Sequence, residues 1–271
     1  MAELICPICS GEMRQEEKRY ICTQGHCFDR AKSGYVNLLP PTASTKRHGD
    51  DKLMVRARTE FLNKGFYDKL ADDVAACIAA RMPQEACVLD AGCGEGMYTA
   101  KIYDALLASG KQPQVIGIDI SKEALIAAAK RSKNLILASA STAKLPVADE
   151  SLDCVANIFS PFLPEEFRRV LKKSGLLVRV VPLERHLWEL KQLVYDTPYL
   201  NPPLEEAAAG FTLTEKKSLR YEITLHGSEI MDLFRMTPYY YKTGKADQQK
   251  AEQTDCLTTT LDFGIWLYEK I

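Results

Sequence analysis

The chain has 271 residues, 46% of them hydrophobic and 26% charged, with 35 basic and 36 acidic side chains and a net charge of −1. That length exceeds one small domain, so a large core plus an appendage is expected, and the balanced charge means that any grip on nucleic acid must come from local clusters. No apolar run reaches the roughly 18 residues that span a bilayer, and the opening MAELICPICS has no basic region leading into a long apolar core, so neither a membrane span nor a secretory leader is expected. Nine cysteines, an odd number, argue against a full disulfide framework and for a cytoplasmic chain whose thiols are reduced or hold metal.

The first element is CPICSG followed by YICTQGHCF, which spaces Cys6, Cys9, Cys22, His26 and Cys27 as C-x2-C, twelve residues, then C-x3-H or C-x4-C. Zinc takes four thiolate or imidazole ligands in a tetrahedron, and a two-residue spacer lets one tight turn present two thiolates to one ion. Gly11 and Gly25 stand where those turns must bend. The fourth ligand is His26 or Cys27. His26 is favoured, with Cys27 then a small buried residue beside Phe28. Free structural cysteines are the competing reading, but the segment is too short for a core of its own. A site with four protein ligands is closed and serves folding rather than catalysis. The stretch from Arg30 to Arg58 follows, with seven basic residues (Arg30, Lys32, Lys46, Arg47, Lys52, Arg56, Arg58) against Asp50 and Asp51. It reads either as a solvated linker or as a phosphate-contacting surface.

Next comes CVLDAGCGEGMYT, in which an apolar strand runs through Asp90 into Gly92, Gly94 and Gly96, and a helix follows as far as Gly110. Met97 occupies the last glycine position of G-x-G-x-x-G, so the dinucleotide fingerprint fails; alternate glycines instead let the backbone pass close to a ligand. PQVIGIDIS ends a second strand at Asp119, which suits hydrogen bonding to a ribose diol. A helix capped by Ser121, a strand LILASAS, a strand from about Leu152 to Phe159, a helix EEFRRVLKKSG and a strand LLVRVVP complete an alternating series. The expected fold is α/β, a doubly wound, mainly parallel sheet. Beyond Leu190 a proline-rich loop precedes RYEITLHG and TTTLDFGIWLYEKI, which alternate as antiparallel edge strands. RMTPYYYKTGK sets three tyrosines beside basic residues, a pattern that stacks on nucleotides or simply packs a surface.

Residues from about Ala86 to Pro182 resemble the class I S-adenosylmethionine-dependent methyltransferases, through the glycine loop, Asp119 and LKKSGLL. The resemblance implies that Gly92, Gly94 and Gly96 meet the methionine end of the cofactor, Asp119 its ribose and Ala140 its adenine. With the cysteine segment, FLNKGFYDKL and ERHLWELK added, the chain from Cys6 onward resembles the bacterial 23S ribosomal RNA guanine-N1 methyltransferases of the RlmA family. These modify a guanine in the hairpin loop of helix 35. That resemblance implies zinc on Cys6, Cys9, Cys22 and His26, and S-adenosylmethionine contacts from Gly94, Glu95, Tyr67 and His186. It also implies a 23S RNA hairpin as partner and a two-fold homodimer framing an RNA cleft.

The implied organisation is a zinc-binding RNA-recognition domain over 1–38, a linker over 39–60 and a methyltransferase domain over 61–271. NIFSPF partly matches an Asx-Pro-Pro-aromatic motif, which makes Asn157 and Phe159 the catalytic candidates as a wall for a splayed base, with no general base assigned. Read from residues alone, Tyr67 could equally be a core tyrosine and His186 a structural hydrogen-bonder. Two rival functions are a small-molecule methyltransferase acting, for instance, on a quinone precursor, and a non-catalytic zinc-ribbon RNA binder.

Overall fold

The protein is described by a computed structural model over residues 4–39 and 49–271. The amino-terminal segment folds as a three-stranded antiparallel sheet of β1 (Met13–Gln15), β2 (Arg19–Cys22) and β3 (Cys27–Asp29), followed by the short strand β4 (Val36–Asn37). Helices α1 (Lys52–Leu62) and α2 (Asp68–Ala79) lead into β5 (Cys87–Ala91), α3 (Met97–Ala108), β6 (Gln114–Asp119), α4 (Lys122–Arg131) and β7 (Ile136–Ser139). The second half runs β8 (Leu152–Ile158), α5 (Pro164–Val170), β9 (Leu171–Pro182), α6 (Trp188–Val194), β10 (Phe211–His226), α7 (Ser228–Arg235), α8 (Lys245–Glu252) and β11 (Cys256–Lys270).

One eight-stranded sheet carries the molecule, in the order β10-β11-β9-β8-β5-β6-β7-β4. The pairings from β4 through β9 are parallel, and β11 lies antiparallel to both of its neighbours. Every residue of β5 is buried, as expected of a strand covered on both faces by crossover helices. The order reverses beside β5, where the chain leaves for β6 on one side and later returns as β8 on the other. Crevices for ligands open at the carboxyl ends of strands at such a point.

Several expectations need correction. The stretch expected as a linker over 39–60 contains most of α1, whose N-cap Asp51 accepts a hydrogen bond from Met54 N–H at 2.9 Å. Lys46 and Arg47 lie outside the described residues. Nor does the amino-terminal segment stand apart from the sheet. Val36 and Asn37 pair in parallel with Ala138 and Ser139, Leu4 bridges Val147, and buried Leu4, Met13 and Tyr20 share a core with the sheet residues Leu89 and Ile116. The helix expected over EEFRRVLKKSG stops at Val170, because Leu171 is fully buried opposite Leu152 and the chain gives up helix to join β9. The carboxy-terminal strand is internal rather than an edge: β11 is held between β9 and β10, and its residues from Thr259 to Tyr268 are all buried. Among the described residues no helix is long and apolar enough to cross a membrane.

Candidate functional site

Two turns gather the cysteine cluster. The Ser10 N–H donates to Cys6 O at 2.8 Å with Ser10 at φ +58, and the Gly25 N–H donates to Cys22 O at 2.9 Å with Gly25 at φ +81. Together they bring the ligand atoms of Cys6, Cys9, Cys22 and His26 within 4.8 Å of one another. The separations are 3.6 Å for Cys9 Sγ to Cys22 Sγ, 3.6 Å for Cys6 Sγ to His26 Nδ1 and 3.3 Å for Cys22 Sγ to His26 Nδ1. A tetrahedron built from ordinary zinc–sulfur and zinc–nitrogen distances has edges of about 3.8 and about 3.6 Å, so the donor set and its spacing fit zinc. Burial opposes ionisation of the Cys22 thiol, but N–H donors from His26 and Gln24 outweigh it and bring the thiol down to about 6. Cys27 departs from expectation: it is exposed, and its thiol turns back to Gly25 O at 3.5 Å.

The second site is a cavity of about 930 Å³ at the carboxyl ends of the parallel strands. Its floor is the turn after β5. Gly92, at φ +90, has Ser160 so close that an added Cβ would lie 2.5 Å from the serine Cβ, and Ser160 Oγ donates to Ala91 O at 2.5 Å. Gly94, at φ +55, donates its N–H to Asp119 Oδ2 at 2.9 Å, while Ser121 N–H reaches Asp119 Oδ1 at 2.8 Å. Each carboxylate oxygen of Asp119 has a second lone pair left for a ligand. Gly96 serves a different purpose from the one expected. At φ +84 an added Cβ would lie 2.7 Å from Ala128 Cβ, so this glycine lets α3 approach α4 and is absent from the cavity lining.

Of the other expected residues, Glu95, Ala140, Tyr67, His186, Asn157 and Phe159 all line the cavity. Glu95 is already engaged: Arg131 clasps Oε2, and Met97 N–H donates to Oε1 at 3.2 Å. Burial still raises its carboxyl, with Arg131 acting against that shift. Tyr67 is buried, its ring edge-on to Phe61 at 5.5 Å and to Phe263 at 5.1 Å, which joins the wall role to the core role. His186 Nδ1 accepts from the Asp262 N–H at 3.3 Å, which leaves the ring hydrogen on Nε2. Burial, helped by the charge of Lys191, lowers this imidazole to about 3 and keeps it neutral. Asn157 spends its amide hydrogens on Ser160 Oγ and Pro161 O, so it shapes the turn after β8. Phe159, 43% exposed at φ +51, is the aromatic surface that this turn presents. Its ring lies 6.3 Å from that of Tyr98 and 5.6 Å from that of Phe263.

Sequence reasoning missed Tyr98, Asp50 and Arg58 as cavity residues, and it noticed Met236 to Tyr239 only as part of a tyrosine-rich surface. Tyr98 sits within the glycine-loop motif without being singled out, and no local motif marks Asp50 or Arg58. Among the described residues, part of the basic stretch is engaged within the chain. Arg56 pairs with Glu60, Arg30 donates to Gly34 O at 3.0 Å, and Arg58 enters the cavity paired with Asp50.

Beneath the glycine loop, Asp90 is buried, takes a hydrogen bond from Thr99 Oγ1 at 2.6 Å and leaves Oδ1 without a partner. Burial pushes its carboxyl up to about 7. Asp119 is likewise raised by burial, against the pull of the Ser121 and Gly94 N–H donors. The cavity volume, the side-chain-free glycine floor and an acid with spare lone pairs at the second strand end fit a nucleoside cofactor such as S-adenosylmethionine.

Strand order, glycine loop and acid together define a class I S-adenosylmethionine-dependent methyltransferase. Residues 4–47 match the RlmA amino-terminal zinc-ribbon family and residues 88–175 a methyltransferase-domain family. A Bacillus subtilis protein, named provisionally as the 23S rRNA (guanine-N1)-methyltransferase YxjB, is 35% identical over 96% of this chain and 94% of its own. A Micromonospora griseorubida protein of the same provisional description is 31% identical over 91% and 89%. The 23S rRNA (guanine(748)-N1)-methyltransferase of Streptomyces fradiae is 34% identical over 69% and 66%. The chain belongs to the 23S rRNA (guanine-N1)-methyltransferase family.

Proposed function

We propose that this protein transfers the methyl group of S-adenosylmethionine to N1 of a guanine in the helix 35 hairpin loop of 23S ribosomal RNA. The observation that carries the reading is the union of the two sites on one sheet: the tail of an RlmA-type zinc ribbon is the strand beside β7, next to the crevice of a class I methyltransferase.

In this reading Cys6, Cys9, Cys22 and His26 hold zinc and fix the ribbon as an RNA-presenting arm. Gly92, Gly94 and Glu95 line the methionine side of the donor, Asp119 its ribose and Ala140 its adenine. Tyr67 and His186 close the wall towards β11 through their contacts with Phe263, whose ring lies 5.1 and 4.7 Å from theirs. Bound S-adenosylmethionine supplies an electrophilic methyl on its sulfonium, so the chain need not provide a nucleophile. Guanine N1 gives up its proton to solvent, and the chain's task is to hold that nitrogen in line with the methyl, whose bond to sulfur breaks to leave S-adenosylhomocysteine. Phe159 offers the exposed ring on which a base splayed from the loop stacks, and Asn157 and Ser160 hold the turn that aims it. A two-fold pair of chains framing the RNA cleft is part of the proposal.

Labelled methyl offered to zinc-loaded protein with a 23S hairpin fragment and a quinone precursor tests the reading. Label on the RNA is expected. Label on the small molecule, or RNA binding without label, would replace this account with one of its two rivals.

A further inference from the structure

We propose that Asp50 and Arg58 form a clamp for the zwitterionic amino-acid end of S-adenosylmethionine. The inference rests on reading the cavity as the donor site and deepens that reading. Both side chains line the cavity and pair with each other there, each about a quarter exposed. They come from the segment between ribbon and sheet, Arg58 from within α1 and Asp50 from the position before its N-cap.

Position argues first. Arg58 Nη1 lies 3.5 Å from where a Gly94 Cβ would stand, so the guanidinium faces the side of the glycine loop that carries no side chain. In the proposed reading that side of the loop, lined by Gly92, Gly94 and Glu95, receives the methionine end of the donor. The pair lies beside the ribose acid: Ser121 donates its N–H to Asp119 Oδ1 and its Oγ to Asp50 O, and Gly94, which faces Arg58, donates its N–H to Asp119 Oδ2.

The pair is also held in place rather than left to swing. Arg58 Nη2 donates to Met236 O at 3.2 Å, and Ser121 Oγ donates to Asp50 O at 2.8 Å. Just outside, the Tyr241 hydroxyl donates to Asp51 Oδ2 at 2.9 Å and ties the same segment to the carboxy-terminal turn.

Charge complementarity supplies the ligand's identity. Of the other charged groups on the lining, Asp119 is given to the ribose in this reading, Glu95 is committed to Arg131, and Arg179 lies over the Phe162 ring at 3.9 Å. A half-buried acid and base side by side match an α-ammonium and an α-carboxylate set at one carbon. Guanidinium has five donors in a fork that suits a carboxylate, and a carboxylate has lone pairs enough for a neighbour and an ammonium. An adenosine lacking the amino-acid end would gain nothing from either residue.

Calorimetry on the zinc-loaded full chain tests this with two ligands. S-adenosylhomocysteine carries the amino-acid end, and 5′-methylthioadenosine lacks it. Arg58→Ala is expected to weaken S-adenosylhomocysteine by about tenfold or more, the scale of a lost hydrogen bond to a charged group, and to leave methylthioadenosine within about twofold. Asp50→Asn, which keeps the shape of the side chain, and Arg58→Lys, which keeps the charge but loses the fork, shift the same ratio in the same direction by less. Parallel loss of both ligands, or unchanged affinity for S-adenosylhomocysteine in all three variants, overturns the clamp. Wild-type protein that binds neither nucleoside overturns the donor-site reading itself, and the clamp with it.

Discussion

The ribbon and the crevice are two sites built on opposite plans. All four ligand atoms of the ribbon come from within 21 residues, and two local turns assemble them. The crevice draws its walls from residues spread between Gly49 and Tyr239, and only the sheet's strand order brings them together. A site of the first kind depends on its metal and on the sheet it leans on. One of the second kind depends on the packing of the whole domain. The shared core around Leu4, Tyr20 and Leu89 shows where the two dependencies meet.

Stripping zinc should separate them most strongly. Structural zinc in such modules contributes on the order of 10 kcal/mol to local folding. Chelation is therefore expected to abolish hydrogen-exchange protection over 4–39 and to loosen the β7 edge at Ala138 and Ser139. Protection in β5, β6 and β8 should persist, with affinity for S-adenosylhomocysteine within about threefold. Global loss of protection would mean that the two regions form one cooperative unit.

Gly96→Ala is the converse blow, aimed at the packing of the crevice. The positive φ and the 2.7 Å approach to Ala128 Cβ predict a loss of about 3 kcal/mol in denaturant unfolding, with zinc content unchanged. A loss below about 0.5 kcal/mol would contradict the tight α3–α4 contact inferred from it.

Asp90→Asn sharpens the electrostatic side. The folded carboxyl sits near 7 against an ordinary 3.8, so its stability contribution is full below pH 3.8 and lost as pH rises through 7. Replacing it with a neutral amide should leave stability nearly unchanged at pH 4 and raise it progressively, by on the order of 4 kcal/mol, towards pH 7.5. His186 works in the opposite sense. Lowered to about 3 from 6.5, it contributes fully above pH 6.5 and loses that contribution as pH falls towards 3. A variant whose advantage does not grow with pH would show that Asp90 is ionised in the fold.

The smallest effect belongs to Cys27→Ser. This exposed thiol lies outside the ligand cluster, so zinc content and stability should hold within about 0.5 kcal/mol. Loss of the metal would make Cys27 a ligand after all.

What could be read from the chain follows the same division. Cys6, Cys9 and Cys22 were legible because spacing decides whether a turn can offer two ligands to one ion, whereas spacing left His26 and Cys27 as alternatives for the fourth place. The parallel sheet was legible from alternating apolar runs, as were the glycine loop and Asp119, which terminate strands next to each other. Arg58 was visible only as one charge in a basic run, since nothing local tells that its helix docks over Gly94. Gly96 was assigned to the cofactor because a glycine pattern does not say which glycine admits a ligand and which admits a neighbouring helix. The internal place of β11 was hidden for a related reason: antiparallel insertion between β9 and β10 is a property of the sheet, not of either strand.

Primer extension along a helix 35 hairpin, after incubation with zinc-loaded protein and S-adenosylmethionine, tests the central claim most directly, because a methyl on guanine N1 blocks base pairing and stops the polymerase. A new stop at one loop guanine, dependent on both the donor and the metal, is the predicted result. Full-length extension from RNA that demonstrably bound the protein, or a stop that survives without the donor, would contradict it.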